Sequence, residues 1–202
     1  MNRLLNRRMN RRMMKRAATI VAGGLALAGA AEVGAAAWIH AKGFVAQRLI
    51  AAAWSSASDR DAARRPWPWA DMRPIARLTV PGRRVELYVM DDASRRSLAF
   101  GPGLVAGTSL PGAGGNTVIV AHRDTHFAFL RRLGPDDEID LQSTGGAISR
   151  YRVRETVIVD RDDGEVMAGD GTSRLTLITC YPFDAVRPGT RLRYVVVAER
   201  VA

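Results

Sequence analysis

The chain has 202 residues, 30 Lys and Arg against 20 Asp and Glu, a formal net charge of +10 and a single cysteine. This length suits one globular domain with an appendage, and a hydrophobic content of 47% is not that of a disordered chain. One cysteine excludes an intramolecular disulfide framework and a cysteine-rich zinc module.

Most of the excess positive charge lies in residues 1–16, which hold seven Lys and Arg and no acid. The chain after residue 16 has 23 basic and 20 acidic residues and is close to charge balance. A chain charged in this way offers no basic surface for nucleic acid, so we expect no nucleic-acid partner. We predict that residues 1–16 form a basic tail on the cytoplasmic side of a membrane.

An apolar segment follows over residues 17–39, and its only formal charge is Glu32. As a helix it would be about 34 Å long, enough to cross a hydrocarbon core of about 30 Å. We predict a single-pass anchor in the lipid bilayer of the cell inner membrane, with the domain that follows in the periplasm or otherwise outside the cytoplasm. The alternative is a signal peptide with its apolar core at residues 17–31, cut after Ala30.

Residues 40–66 are predicted to form a juxtamembrane helix over 44–54 and then a linker. Trp67-Pro68-Trp69 lies close to prolines on both sides, which predicts an extended strap packed on the domain. Seven short β runs separated by Gly and Pro clusters follow, at residues 75–80, 85–89, 117–121, 138–141, 150–159, 175–179 and 191–201. With a single helical turn at 127–133, this spacing predicts an all-β barrel or sandwich over residues 67–202.

Cys180 ends one of these runs and precedes Tyr181-Pro182, where the strand must stop. A thiol at such a junction is held rigidly and can face a groove, which makes it a candidate nucleophile. The structural alternative is a small buried apolar side chain, although an unpaired thiol outside the cytoplasm is open to oxidation.

His122 directly follows the run 117–121, in the same position relative to its strand as Cys180. An imidazole close to a thiol serves as a general base and then protonates a leaving amine, whereas a lone histidine there is a surface or capping residue. A nearby cation would stabilise an oxyanion, and Arg187, Arg191 and Arg193 all follow Cys180. His122, Asp124 and His126 lack a third metal ligand, and the acidic run from 160 to 170 does not fit a calcium loop; we expect no metal and no cofactor.

Thr176-Leu177-Ile178-Thr179-Cys180 matches the TLxTC signature of the sortases in full. Together with the strand-terminal His122 and an arginine on the last strand, the chain resembles a sortase over about residues 67–202. Within that family, Cys180-Tyr181-Pro182-Phe183 and Trp67-Pro68-Trp69 are most similar to the sortases of Gram-negative bacteria. One departure is Ala121, where many members have glycine.

The resemblance implies a closed eight-stranded β-barrel and a cysteine transpeptidase. Cys180 would be the nucleophile, His122 the general acid and base, and Arg193 the group that stabilises the oxyanion, with Arg191 as the alternative. Two further residues would orient the site, Asp124 and Thr179. Such an enzyme cleaves an LPxTG-like sorting signal through a thioester and transfers the acyl group to an amine acceptor, without a cofactor.

Two other functions fit the same residues. An extracytoplasmic cysteine hydrolase would use the same thiol, but in papain-like peptidases Cys precedes His, whereas His122 precedes Cys180 here. A non-catalytic, membrane-tethered β-barrel interaction domain explains the anchor and the strands, and leaves the pairing of His122 with the TLxTC motif unexplained.

Overall fold

The structure is a computed structural model that describes residues 22–27, 29–34, 38, 41, 44–56, 64–169, 171–187 and 189–201. The chain divides into two compact units, Met1–Val45 and Ala46–Ala202. The described part of the first unit is helical at 22–27 and 29–34. Within the described ranges, no helix is both long enough and apolar enough to cross a membrane. The predicted basic tail, and residues 17–21, 28, 35–37 and 39 of the predicted anchor, lie outside these ranges.

The second unit is built on a closed barrel with the strand order β1-β2-β3-β4-β7-β8-β6-β5. Its strands are β1 (Pro74–Val80), β2 (Val85–Met90), β3 (Gly103–Leu104), β4 (Asn116–Val120), β5 (Glu138–Ser143), β6 (Ile148–Asp160), β7 (Arg174–Cys180) and β8 (Leu192–Arg200). This unit contains residues 46–55 of the helix over 44–55, the helix Arg95–Leu98, and 3-10 turns at Pro81–Arg83, Ala128–Arg132 and Glu165–Met167. The closed eight-stranded barrel expected from the resemblance is therefore confirmed.

Seven of the strands coincide with the predicted β runs to within a few residues, and the eighth, β3, lies where a glycine-rich turn was predicted. β3 has only two residues, which is too short for an alternation of side chains to be recognised. Gly103 pairs with Met90 on one side and Val120 on the other. A Cβ atom at Gly103 would lie 2.1 Å from the Asp92 carbonyl oxygen, so the close approach of these backbones requires glycine.

Side chains of β4, β7 and β8 alternate between the barrel interior and its outer face. Leu175, Leu177 and Val196 belong to the interior core. On the outer face lies a second cluster, called here the outer patch; it consists of buried Val118, Ile178 and Val195, flanked by Val105, Val120, Val157, Val159, Val166 and Val197. Apolar side chains of β4 and β7 thus pack on both faces of the sheet.

The helix over residues 44–55 packs on the barrel through Ile50, which is fully buried in a cluster with Met72 and Met90. Trp67 packs against the same cluster and meets Phe100 edge-on, with ring centroids 5.2 Å apart. The predicted packing on the domain is thus confirmed at Trp67. The predicted extended conformation is wrong, because the chain turns here and the Ala70 amide donates to the Trp67 carbonyl oxygen at 3.0 Å. The packing is wrong at Trp69, whose side chain is 78% exposed.

Candidate active site

Three neighbouring strands bring the predicted site residues to one end of the barrel. β4 and β7 are parallel, with Val120 opposite Ile178, so the segments that follow them emerge at the same end. His122 lies two residues after Val120, and Cys180 two residues after Ile178. β8 runs antiparallel to β7 and begins at this end, with Arg193 as the register partner of Cys180.

Strand alternation also assigns the side chains of Cys180 and Arg193 to one face, whereas His122 lies two residues beyond the end of β4. Cys180 has the parity of Ile178, and Arg193 has that of Val195, both of which belong to the outer patch. The β4–β7 ladder continues past Val120, since the Ala121 amide donates to the Ile178 carbonyl oxygen at 3.3 Å. The Cys180 side chain is half-buried and His122 is exposed, so the thiol and the imidazole lie beside the outer patch within reach of solvent.

Thr179 connects the segments that carry Cys180 and His122. Its hydroxyl donates to the carbonyl oxygen of Ala121 at 2.7 Å, and the side chain is only 3% exposed. This bond joins the residue before Cys180 to the residue before His122. An orienting role for Thr179 stays a prediction.

Asp124 has a different environment from Thr179. Its carboxylate accepts a hydrogen bond from Nε of Arg123 at 3.3 Å, and its side chain is 68% exposed. Asp124 thus contacts Arg123, and an orienting role for it stays a prediction.

Arg191 and Arg193 have different partners, although they are only two residues apart. Arg191 donates to Asp160 at 3.1 and 3.2 Å and to Asp162 at 3.3 Å. The hydrogen bond from Arg191 lowers the pKa of Asp160 below its usual value. Nη1 of Arg193 instead donates to the carbonyl oxygens of Thr190 at 2.7 Å and Leu192 at 2.9 Å. Arg191 is thus engaged with acids at the end of β6, whereas Arg193 lies opposite Cys180.

His126 lies close enough to His122 to respond to its charge. Burial lowers the pKa of His126, and a positive charge on His122 lowers it further. Its Nδ1 is 3.3 Å from the hydroxyl of Thr125. In the part of the chain that the structure describes, no three His, Cys, Asp or Glu side chains converge in a way that could hold a metal ion.

Arg123 is a residue of this region to which the sequence assigned no role. Its side chain is only 6% exposed, and it donates to the carbonyl oxygens of Pro182 at 2.8 Å and Ala185 at 2.7 Å. Arginines are mostly exposed, so a charged run after a strand predicts a solvated loop. The only signal in the sequence was its position directly after His122.

An aromatic cluster beside Cys180 and Arg193 was not predicted either. Tyr181 stacks on Tyr194 with ring centroids 6.2 Å apart, and Phe183 meets Tyr194 edge-on at 5.2 Å. Tyr181 directly follows Cys180 and Tyr194 directly follows Arg193, and both Phe183 and Tyr194 pack against the interior core. Its members come from β8 and from the loop before it, and their contact depends on the fold of that loop.

Comparison with known proteins assigns the family. Residues 78–201, more than half of the chain, match the family model described as Sortase domain. Sortase D of Bacillus subtilis (strain 168) is 30% identical over 125 residues, which are 61% of this chain and 62% of that protein.

Solved structures agree with this assignment. Sortase A from Corynebacterium diphtheriae is 29% identical with a TM-score of 0.60, over 66% of this chain and 63% of that one. Sortase C-1 from Actinomyces oris is 29% identical with a TM-score of 0.57, over 65% and 77%. The chain spans less than two thirds of the Bacillus protein and of the Corynebacterium chain. These relatives come from Gram-positive bacteria, so they support the family and not the narrower similarity to the sortases of Gram-negative bacteria. The chain belongs to the sortase family.

Proposed function

We propose that this chain is a membrane-anchored cysteine transpeptidase that cleaves an LPxTG-like sorting signal and transfers the acyl group to an amine acceptor. The observation that carries the proposal is the meeting of three strand ends, which places Cys180 opposite Arg193 beside the segment that bears His122. A thiol, an imidazole and a guanidinium at one end of the barrel are the groups that acyl transfer through a thioester requires.

The chemistry follows from the roles of these groups. As the Cys180 thiol gives its proton to His122, the sulfur forms a bond to the carbonyl carbon of the scissile Thr–Gly-type peptide, and the guanidinium of Arg193 stabilises the oxyanion. The C–N bond then breaks, His122 gives that proton to the leaving amine, and a thioester on Cys180 remains. The amine acceptor attacks the thioester and loses a proton to His122; the C–S bond then breaks, and His122 returns the proton to the Cys180 sulfur, which restores the thiol and completes the transfer.

The outer patch is a surface to which an apolar segment of the substrate would bind, next to the thiol. Val118, Ile178 and Val195 form its buried centre, and Val120 and Val166 flank it. The leucine and proline of an LPxTG-like signal would cover the partly exposed flanking valines, which favours binding by about 25 cal/mol per Å² of apolar surface removed from water.

The location of the enzyme is proposed from the sequence. The basic residues at 1–16 and the apolar segment at 17–39 support a single-pass anchor in the cell inner membrane, with the barrel outside the cytoplasm. The Cys-Tyr-Pro-Phe and Trp-Pro-Trp segments support a place among the sortases of Gram-negative bacteria.

Mass spectrometry of acylation tests the proposed activity directly. The purified full chain, mixed with an LPxTG-type peptide and triglycine, is expected to form an acyl adduct on Cys180 and a peptide–triglycine product. Cys180→Ala removes the nucleophile and should abolish both products, and His122→Gln should slow the transfer by about 100-fold or more. His126→Gln is the matched control and should leave the rate within about threefold, because His126 is given no part in the proton transfers.

The products distinguish the alternatives. Hydrolysed peptide without transfer at saturating triglycine would indicate a cysteine hydrolase. Full activity of Cys180→Ala would refute the assignment of the nucleophile. If no LPxTG-type peptide acylates the wild-type chain, the non-catalytic interaction domain becomes the better description.

A further inference from the structure

Arg123 is a buried cation whose hydrogen bonds converge on one loop. Its side chain is 6% exposed. Nη1 donates to the carbonyl oxygen of Pro182 at 2.8 Å, and Nη2 donates to those of Ala185 at 2.7 Å and Arg187 at 3.3 Å. Nε donates to the carboxylate of Asp124 at 3.3 Å.

The hydrogen bonds of Arg123 join two segments of the candidate site. Arg123 directly follows His122, and its three carbonyl partners lie within the seven residues that follow Cys180. One guanidinium therefore bridges the segment that carries the imidazole and the loop that directly follows Cys180. The Thr179–Ala121 hydrogen bond joins the same two segments on the strand side, and Arg123 joins them on the loop side.

The geometry of the bridge requires an arginine. A guanidinium offers five N–H donors in a planar fork, and here its three nitrogen atoms reach one carboxylate and three carbonyls. A lysine has a single ammonium nitrogen, which cannot reach all of these oxygen atoms at once because they lie on different sides of the guanidinium. Without these donors, backbone carbonyls that now surround the buried guanidinium would lose their partner.

We propose that Arg123 is a positioning residue: it holds the loop after Cys180 against the segment that carries His122, and so sets the geometry between the thiol and the imidazole. For its effect on transfer, this inference rests on the proposed transpeptidase activity. Arg123 acts through its neighbours and is given no contact with substrate. Its loss should therefore lower kcat, while KM stays nearly unchanged.

The first test compares Arg123→Gln and Arg123→Lys with Arg83→Gln in the purified full chain. Arg83 is the control because its side chain is half-buried and donates to Asp137 at 2.8 Å, and because it lies in the 3-10 turn between β1 and β2 rather than beside Cys180. Arg123→Gln is expected to lower kcat of peptide transfer by about 10- to 100-fold, since displacing reacting groups by about 1 Å has effects of this size. KM should stay within about threefold, and Arg123→Lys should fall between Arg123→Gln and the wild type.

Two further measurements need no sorting peptide. Amide hydrogen exchange over residues 181–187 should become faster in Arg123→Gln and stay at the wild-type rate in Arg83→Gln. Alkylation of Cys180 by iodoacetamide then reports how the imidazole affects the thiol. His122→Gln should change the alkylation rate in the wild-type and Arg83→Gln backgrounds, and should have little effect when Arg123 is already Gln.

The outcomes separate the two ideas. Suppose that the wild type transfers no peptide, but that His122→Gln changes the alkylation rate of Cys180 only where Arg123 is present. The proposed function then fails and the role of Arg123 stands. The role of Arg123 is refuted if Arg123→Gln keeps kcat within twofold of the wild type, or if His122→Gln has the same effect on alkylation in both backgrounds. Thermal unfolding of each variant verifies that it is folded, and Arg123→Lys replaces Arg123→Gln in every measurement if the glutamine variant does not fold.

Discussion

At the scale of single residues, Arg191 and Arg193 show how strand position decides the chemistry of a side chain. β8 begins at Leu192, so Arg193 lies within the ladder opposite Cys180 while Arg191 precedes the strand. Arg191 is exposed and its guanidinium is paired with Asp160 and Asp162. The geometry therefore supports Arg193, and not Arg191, as the group that stabilises the oxyanion.

Replacement of each arginine by glutamine separates the two candidates. We expect Arg193→Gln to lower kcat/KM of peptide transfer by about 100- to 1,000-fold, because a donor to the developing oxyanion is lost. Arg191→Gln is the control and should lower kcat/KM by less than about threefold, because exposed ion pairs contribute little. A larger loss for Arg191→Gln than for Arg193→Gln in steady-state kinetics would reverse the assignment.

At the scale of elements, the two threonines of the TLxTC signature join β7 to β4 at opposite ends. Thr179 binds the Ala121 carbonyl next to the site, and the Thr176 hydroxyl donates to Oδ1 of Asn116 at 2.7 Å. Nδ2 of Asn116 in turn donates to three successive carbonyls of the 3-10 turn before β7, those of Val166, Met167 and Ala168 at 3.2–3.3 Å. The Thr176–Asn116 pair thus holds the turn whose Val166 flanks the outer patch.

Thr176→Val tests this connection with a side chain of nearly the same shape. The buried Oδ1 of Asn116 loses its donor, so we expect the free energy of unfolding to fall by about 1–3 kcal/mol. Displacement of the turn beside the outer patch should raise KM for the sorting peptide more than it lowers kcat. Thr79→Val is the control, since the Thr79 hydroxyl is 3.4 Å from the Asp140 carbonyl and remote from this turn in the strand order. Urea unfolding and steady-state kinetics measure both effects, and equal losses in the two variants would contradict the prediction.

At the scale of the whole molecule, the compact unit extends beyond the barrel. It begins at Ala46, and the helix over 44–55 buries Ala46, Ile50 and Ala53. Gln47 of this helix also donates to the carbonyl oxygen of Phe100. The helix therefore contributes to the stability of the same unit that carries the site.

Two neighbouring aliphatic residues of this helix provide a test. Ile50 is fully buried and Leu49 is 40% exposed. We expect Ile50→Ala to lower the free energy of unfolding by about 2–5 kcal/mol, because it removes buried methyl groups and leaves a cavity. Leu49→Ala should change it by about 0.5 kcal/mol or less. Urea unfolding of the full chain measures both, and similar small changes would show that the helix does not stabilise the barrel.

Part of the fold was readable from local pattern, and the rest depends on contacts between distant segments. Short β runs separated by Gly and Pro clusters predicted seven strands, because that pattern is local. Two-residue β3 has no pattern, and its pairing depends on the backbone approach at Gly103. Arg123 was missed for a related reason, since its burial depends on a loop that lies about 60 residues later in the chain.

The sequence by itself determined the kinds of chemical group, their order along the chain, the strands that carry them and the separation of charge between tail and domain. Only the tertiary structure decided which strands are neighbours. His122, Cys180 and Arg193 meet because β4 pairs in parallel with β7 and β7 pairs antiparallel with β8. Such pairings are non-local: they are selected by closure of the barrel and by burial of apolar side chains on both faces of these strands, and no single segment encodes them.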